Sequence, residues 1–344
     1  ACGLILAVTL VLNVVVYIFI DPILSFLRVP EEVWGGMREY LLIIFAGLLA
    51  TSLYNFFSCL LRALGNSTVP MVFLAVSAIL NIAWDLLFVA VFHWGIAGAA
   101  YATIFAQYVS GIGILLYVLF RCRSLFPERK DLCFDGGILK EIAGLSSLTC
   151  LQQSVMNFGI LMVQGLVNSF GATTMAAFAA AVKIDTFAYL PVQDFGNAYS
   201  TFIAQNYGAG NKERIRRGTK ESFAISTAFS LVISALVFAF AAPLMQIFVS
   251  SAETAVIASG VRYLRIEGAF YFGIGCLFLL YGYYRAIKRA EMSVVLTVIS
   301  LGIRVLLAYV LSATFLGETG IWMAIPIGWI LADLTGLLYM RKTW

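Results

Sequence analysis

The sequence predicts an all-α integral membrane protein, and three observations carry that reading. The 344 residues are 62% hydrophobic and only 12% charged, at a mean hydropathy of +0.95, whereas charged residues make up about a quarter of a soluble domain. Apolar runs of about 20 residues, the length that carries a helix across a bilayer, recur from end to end. No stretch alternates apolar and polar residues as a barrel strand does, so in lipid the backbone has to satisfy itself within helices.

Ten spans follow in order, at about 3–26, 38–63, 70–92, 96–120, 143–169, 173–206, 220–248, 256–284, 291–315 and 320–340. The turns between them alternate in charge. One set is acidic or nearly neutral: Pro30-Glu31-Glu32, His93-Trp94-Gly95, Ser169–Gly171, Glu253 and Glu318. The other carries Arg62; Arg121, Arg123, Arg129, Lys130 and Lys140; Lys212, Arg214, Arg216, Arg217 and Lys220; Arg285, Lys288 and Arg289; Arg341 and Lys342, which is 16 of the 22 Lys and Arg. Arg28 and Arg38 are exceptions that sit beside Glu31, Glu32 and Glu39. The positive-inside rule puts the basic turns in the cytoplasm, with the start of the first span and the end of the last. The expectation is a multi-pass protein of the cell membrane.

Cysteine and histidine usage narrows the chemistry. Cys2, Cys59, Cys122, Cys133, Cys150 and Cys276 form no CxxC and no metal spacing, which argues against a disulfide framework or a zinc site. Cys122 and Cys133 suit a reduced cytosolic loop. His93 is the only histidine, so histidine-cluster chemistry falls away. The chain opens ACGLILAVTL, inside an apolar run, without the basic region or cleavage site of a signal peptide. The expectation is that it begins part-way through a longer protein.

Residues 121–142 (RCRSLFPERKDLCFDGGILKEI) are the longest polar segment. They read as a cytoplasmic join between a four-span lobe, 1–120, and a six-span lobe, 143–344, with ILKEI expected as a short helix along the membrane surface. The two lobes share a frame. Arg62-Ala63 corresponds to Arg285-Ala286, Asn81 falls on Arg304, and after a slip of two residues Gly95-Ile96 falls on Gly320-Ile321. Asp85 meets Ala308, so only the first copy keeps an acid there. Duplicated halves about a cleft recur in transporters.

Charged and polar residues inside the spans are the candidate site. An ionised acid there costs several kcal/mol unless paired or hydrated, and by default faces a pathway. Asn81 is four residues before Asp85, on the same helix face. An amide oxygen and a carboxylate suit Na+ or a protonation site equally well; the alternative is an interhelical hydrogen bond that holds the bundle together. Lys183 and Asp194 are close to three turns apart and share a face, with Asp185 pointing elsewhere, and Pro191 and Gly196 permit a break in the helix that can expose carbonyls to a cavity. These residues read either as a substrate-facing patch or as a self-neutralising ion pair. Glu267 has Arg262 and Arg265 nearby but not three or four residues away, so the cluster is read as structural. Arg304 and Asp333 are expected to pair across the last two spans, and Asp21 to be a cap-like or interfacial residue near an outer helix end. Of the aromatic and Met side chains (Tyr54, Phe56, Phe57, Met156, Phe158, Met162, Phe270, Tyr271, Phe278, Tyr281), most are expected in core or lipid, with some able to line a cleft for flat cations.

These residues carry a resemblance. LRALGNSTVP with LNIAWDLLF, the basic join, FIAQNYGAGNKERIRRG at 202–218 and YYRAIKRAE are similar to the multidrug and toxic compound extrusion (MATE) transporters. The QNYGAGN turn followed by a basic run is the more specific part. The resemblance implies a twelve-helix fold in two six-helix lobes, of which this chain supplies helices three to twelve. It implies a secondary antiporter that exports organic, often cationic and amphipathic, compounds in exchange for H+ or Na+. It matches Asn81 and Asp85 to the pair of the first-lobe cation site and Thr103 to its threonine, with Ala99 one turn before, so a Na+ would sit at Asn81, Asp85 and Thr103. The acid that family members carry on their first helix has no counterpart here. Acids on the seventh and tenth helices, seen in sodium-coupled members, are replaced by the Gln152–Ser154 region and Ile274. Asn55, Gln153, Asn157, Lys183, Asp185 and Asp194 are the expected substrate-cavity residues.

Competing functions fit less well. No GxxxxGK[ST] loop is present to drive transport with a nucleotide, and one histidine with dispersed acids offers no enzyme constellation. A lipid-linked oligosaccharide flippase of the same superfamily is the nearest alternative, but it needs a strongly cationic cavity and mid-helix Lys and Arg are few. No cofactor is implied beyond the coupling ion. The expected partners are the lipid bilayer and small organic substrates, with no nucleic acid, for a monomer.

Overall fold

In a computed structural model the described residues, 2–26, 31–123 and 135–343, are helical almost throughout, with no strand among them. They form two compact units, Ala1–Leu139 and Lys140–Trp344. The expectations for Arg28, Arg129, Lys130 and Cys133, and for most of the polar join, fall outside the described residues.

The first unit contains α1 (Cys2–Phe26), α2 (Glu31–Ala46), α3 (Leu48–Ala63), α4 (Thr68–Asp85), a π-helical stretch Leu86–Val91, and α5 (Gly95–Arg121). The second contains α6 (Gly136–Asn168), α7 (Ala172–Gly208), α8 (Lys212–Gln246), α9 (Thr254–Gly268) and α10 (Tyr271–Ala286). It ends with α11 (Ala290–Thr297), a π-helical stretch Val298–Gly302, α12 (Ile303–Ser312) and α13 (Glu318–Thr343). Among the described residues nine continuous helical stretches are long and apolar enough to cross a membrane, and α9 with α10, bent by 51° at their break, makes a tenth. These are the ten expected spans. The segment ILKEI is not a separate short helix, however. It forms the first turns of α6, because Asp135 Oδ1 accepts from the N–H groups of Gly137 (2.7 Å) and Ile138 (3.2 Å) and starts the helix there.

The motif residues form turns. At the end of α7, Gly210 has φ +68° and Asn211 N–H donates to Asn206 O (3.0 Å), the glycine-dependent helix stop. Asn211 Oδ1 then accepts from Arg214 N (3.0 Å) and caps α8. Leu64–Asn66 repeats the device: Gly65 has φ +86°, Asn66 N–H donates to Leu61 O (2.9 Å), and Asn66 Oδ1 accepts from Val69 N (3.2 Å). The second copy builds the same stop without glycine. Lys288, the counterpart of Gly65, has φ +62°, and Arg289 N–H donates to Tyr284 O (2.9 Å). The Lys288 ammonium hydrogen-bonds Glu141 (2.5 Å), which holds it above the ordinary lysine range.

Conformation also corrects the repeat alignment at its outer turn. Gly95 (φ +58°) is matched by Gly317 (φ +52°), not by Gly320. Gly320 is a packing glycine, where a Cβ would lie 2.6 Å from the Leu311 carbonyl carbon, and its counterpart is Gly98, where a Cβ would lie 3.2 Å from that of Phe88. The shared Gly-Ile dipeptide misled the reading because glycine serves two different needs three residues apart.

In the first unit α3 and α4 both pack on α5. A Cβ at Gly111 would lie 2.5 Å from Ala50 O, so only glycine lets α3 approach. Tyr108 Oη donates to Ala46 O (3.0 Å), Ser77 Oγ to Ala106 O (2.8 Å) and Tyr54 Oη to Pro70 O (3.0 Å). Asp21 is no cap: it pairs with Arg38 at 2.8 Å, which also accounts for that isolated cation.

In the second unit α10 is the centre. A Cβ at Gly282 would lie 2.6 Å from Gly196 O, and one at Gly275 2.8 Å from Ser226 Oγ. Gly196 is therefore a contact rather than a hinge, and α7 continues through Pro191 unbroken to Gly208. Tyr271, Phe278 and Tyr281 are buried core, whereas Phe158 and Met162 are exposed. At one end Glu318 gathers three helices, accepting from Thr174 (2.8 Å) and Ser259 (3.1 Å) and pairing with Arg262 (3.4 Å). Open space surrounds Gly65, so its need is conformational alone. Gly65→Ala is expected to lower stability by about 1–2 kcal/mol, read as an earlier thermal unfolding in detergent, while Lys288→Gly should not lower it.

Candidate ion-coupling site

Helices α4 and α5 run antiparallel, and three contacts fix their register. Phe73 lies against Gly113, Ser77 bonds Ala106, and Phe88 lies against Gly98. The same register sets Asn81 at the level of Ala102–Phe105 and Asp85 at the level of Gly98–Tyr101. Asn81, Asp85, Ala99 and Thr103 thus share one stretch of the α4–α5 pair, and all four are half-buried. Thr103 Oγ1 donates to Ala99 O (3.0 Å), which leaves the hydroxyl's lone pairs able to accept or to ligate. Asn81 Nδ2 is buried without a hydrogen-bond partner. Among the described residues no hydrogen bond or ion pair holds Asp85. Directly after Asp85 the α-helix gives way to the π-helical Leu86–Val91, a backbone irregularity common at functional sites.

Of the expected substrate-cavity residues, only Asp185 is buried. Asn55 on α3 is exposed, as are Gln153 and Asn157 on α6, while Gln152 beside them is buried. Lys183 and Asp194 are both exposed on α7 without an ion pair between them. Lys183 lies over the Phe248 ring at 5.8 Å and lines a cleft of about 260 Å³ with Phe248, Val249, Ser250 and Glu253. Asp185 is only 8% exposed and belongs to a different assembly.

That assembly is what the sequence reading passed over. Asp185 on α7 accepts a hydrogen bond from Tyr271 Oη on α10. Tyr263 and Glu267 of α9 adjoin its carboxyl, and Arg304 of α12 is the cation in electrostatic reach of both acids. Glu267, 7% exposed, is thus part of a buried polar cluster, and the expected Arg304–Asp333 pair is replaced: Asp333 instead faces Gly273 and Cys276. The signal was present in the sequence. Tyr263, Glu267 and Tyr271 recur every four residues, which puts two hydroxyls on the face of the acid.

Among the described residues, ten stretches long and apolar enough to cross a membrane define a multi-pass membrane protein. The MatE family model matches residues 1–87 and 148–310, and the chain belongs to that family, the MATE transporters. It is 31% identical over 324 residues to a probable multidrug resistance protein, YpnP, of Bacillus subtilis, covering 93% of this chain and 71% of the relative. It is 28% identical over 323 residues to a probable multidrug resistance protein, NorM, of Thermotoga maritima, covering 91% and 68%. Its fold matches the crystal structure of a mutant of the Vibrio cholerae MATE transporter VcmN at a TM-score of 0.93 and 23% identity, covering 99% of this chain and 77% of the other.

Removing the donor to Asp185 tests the buried cluster. Tyr271→Phe is expected to cost about 1–3 kcal/mol, seen as a lower thermal midpoint, with a much smaller effect for Tyr309→Phe at an exposed site.

Proposed function

We propose that the protein is a secondary antiporter that exports organic, often cationic and amphipathic, compounds in exchange for H+ or Na+, by alternating access of a 1–120 lobe and a 143–344 lobe joined by 121–142. The observation that carries this is Asp85, an acid inside a span with no partner, one turn from an amide with an unmet donor. A carboxylate kept without a partner in an apolar span is poised for an exchangeable cation. Asn81 Oδ1 and the Thr103 hydroxyl supply further oxygen, and Ala99 leaves room beside them. The orientation that fits has the basic turns in the cytoplasm, so the ion enters as the substrate leaves. Asn55, Gln153, Asn157, Lys183 and Asp194 are retained as substrate-contacting candidates because their exposure permits contact. The relatives named as multidrug resistance proteins support a substrate class of small organic compounds, and they do not favour the oligosaccharide-flippase alternative.

The test is efflux of ethidium from vesicles holding the intact transporter, with pH and sodium gradients imposed separately. One gradient should accelerate efflux. Asp85→Asn should abolish that acceleration, by tenfold or more on the scale of about 1.4 kcal/mol per decade, with membrane insertion unchanged. Wild-type efflux in the variant would overturn the reading.

A further inference from the structure

We propose that the second unit carries an exchange site of its own, in which the carboxyl pair Asp185 and Glu267 takes up and gives back one proton beside a tethered cation, Arg304. This rests on the antiport reading and adds a second coupling group to it.

The charge count is the first argument. Two carboxyl groups from α7 and α9, each more than nine-tenths buried, share a single cation, Arg304. A guanidinium in a protein keeps its proton, so Arg304 balances one carboxylate and leaves the other. An uncompensated charge in the interior of a membrane protein costs several kcal/mol. One proton makes the cluster neutral.

Hydrogen-bond capacity gives the same number. Asp185 Oδ1 accepts from Tyr271, whereas Asp185 Oδ2 and Glu267 Oε2 are buried without a partner. A proton on either oxygen supplies the missing donor. Two carboxylates without a proton have no donor to give. Arg304 Nε is buried and unpartnered as well, so no fixed set of bonds closes the cluster.

The groups packed around the pair bring no second cation. On α9, Arg262 is turned to Glu318 and Arg265 lies over the Phe238 ring at 5.3 Å. From α8 the neighbour is apolar, Val237 against Gly268. On α10 the facing group is Tyr271, and on α13 the acid Asp333 faces Gly273 and Cys276. Tyr263 of α9 adjoins both carboxyls. A proton suits such a site better than a metal ion, which would need a shell of oxygen ligands and would meet the repulsion of Arg304.

The backbone under the cluster explains how the proton could come and go. Glu267 ends α9 and Tyr271 begins α10, on either side of the 51° bend. Arg304 follows the π-helical Val298–Gly302 by two residues. Asp185 alone stands on an unbroken helix, α7. A change in the bend therefore moves Glu267 and Tyr271 relative to Asp185, separating the groups that share the proton.

The experiment counts protons. Purified intact transporter in weakly buffered detergent is titrated with ethidium while a pH dye reads proton release, normalised to ethidium bound. Glu267→Gln should release about one proton per ethidium fewer than its parent, in the wild-type and in the Asp85→Asn background alike. Glu267→Asp, which keeps a titratable group, should restore the lost proton, which a purely structural role would not require. Release by Glu267→Gln equal to wild type overturns this proposal and leaves the Asp85 reading standing; loss only in Glu267→Gln supports the proposal and assigns Na+ rather than H+ to Asp85, which efflux under an imposed sodium gradient reads separately. A wild-type count of zero at saturating ethidium also overturns it. Should the Glu267 variants fail to fold, infrared difference spectra of the Asp85→Asn protein decide: loss of a protonated-carboxyl band on adding ethidium is expected, and a flat spectrum there overturns the proposal.

Discussion

In hydrocarbon no water is available to satisfy a polar group, so each polar atom in a span has to find a partner within the protein. Most of this structure follows from that demand. Ser77, Tyr54 and Tyr108 in the first unit, and Ser200 and Tyr284 in the second, each donate to a backbone carbonyl of a neighbouring helix. Such bonds are worth about 0.6–2 kcal/mol apiece in membranes. They need close approach, which Gly111 and Gly282 permit, with backbone oxygen occupying the space a side chain would take. Glycine and hydroxyl residues are therefore two halves of one device: the first brings helices together and the second ties them.

Against that background the unsatisfied atoms stand out. Asn81 Nδ2, Asp185 Oδ2, Glu267 Oε2 and Arg304 Nε are buried and unpartnered, and Asp85 has no ionic partner. Ordinary packing would have selected apolar side chains at these places, since a half-satisfied polar network is worse than none. Other buried polar atoms also lack a partner, among them Ser226, Ser230 and Ser234 of α8 and Asp333 of α13, but Asp85 and the charged groups at the α9–α10 bend adjoin irregular backbone. The π-helical Leu86–Val91 follows Asp85, and Val298–Gly302 precedes Arg304. A regular helix has one ladder of bonds. A π-helical stretch has an alternative close in energy, which is what a moving site requires.

The spans were legible in the sequence because hydropathy is a property of single residues summed over a window. Turn chemistry was legible where glycine or asparagine has a unique task, as in LGNSTVP and QNYGAGN. It failed at Gly320, where one residue type served packing instead of a left-handed bond. ILKEI was misread as a separate helix because its charges suggested a surface, while the deciding interaction was the Asp135 side chain ahead of it. The Arg304–Asp333 pairing failed for a deeper reason. Which helices meet is fixed by glycine contacts on α10, such as Gly196 with Gly282 and Gly273 with Trp329, and no one-dimensional pattern shows them. Asp185 and Glu267 lie 82 residues apart in sequence, so their meeting depends on those same contacts.

The internal repeat then takes on a chemical meaning. Arg304 occupies the position of Asn81, and Ala308 that of Asp85. At matching positions the first copy thus places an amide and a carboxylate, and the second a guanidinium and a methyl group. Once a guanidinium is fixed in an apolar bundle, acids from other helices are needed to balance it, and α7 and α9 supply them. Asp185 and Glu267 exceed that need by one charge. An excess of one carboxylate beside a permanent cation is stable only with a proton on it, whereas an excess of one carboxylate with no cation, as at Asp85, can take either a proton or a metal ion. On the antiport we propose, the residue at the Asn81/Arg304 position is what separates the two kinds of exchange.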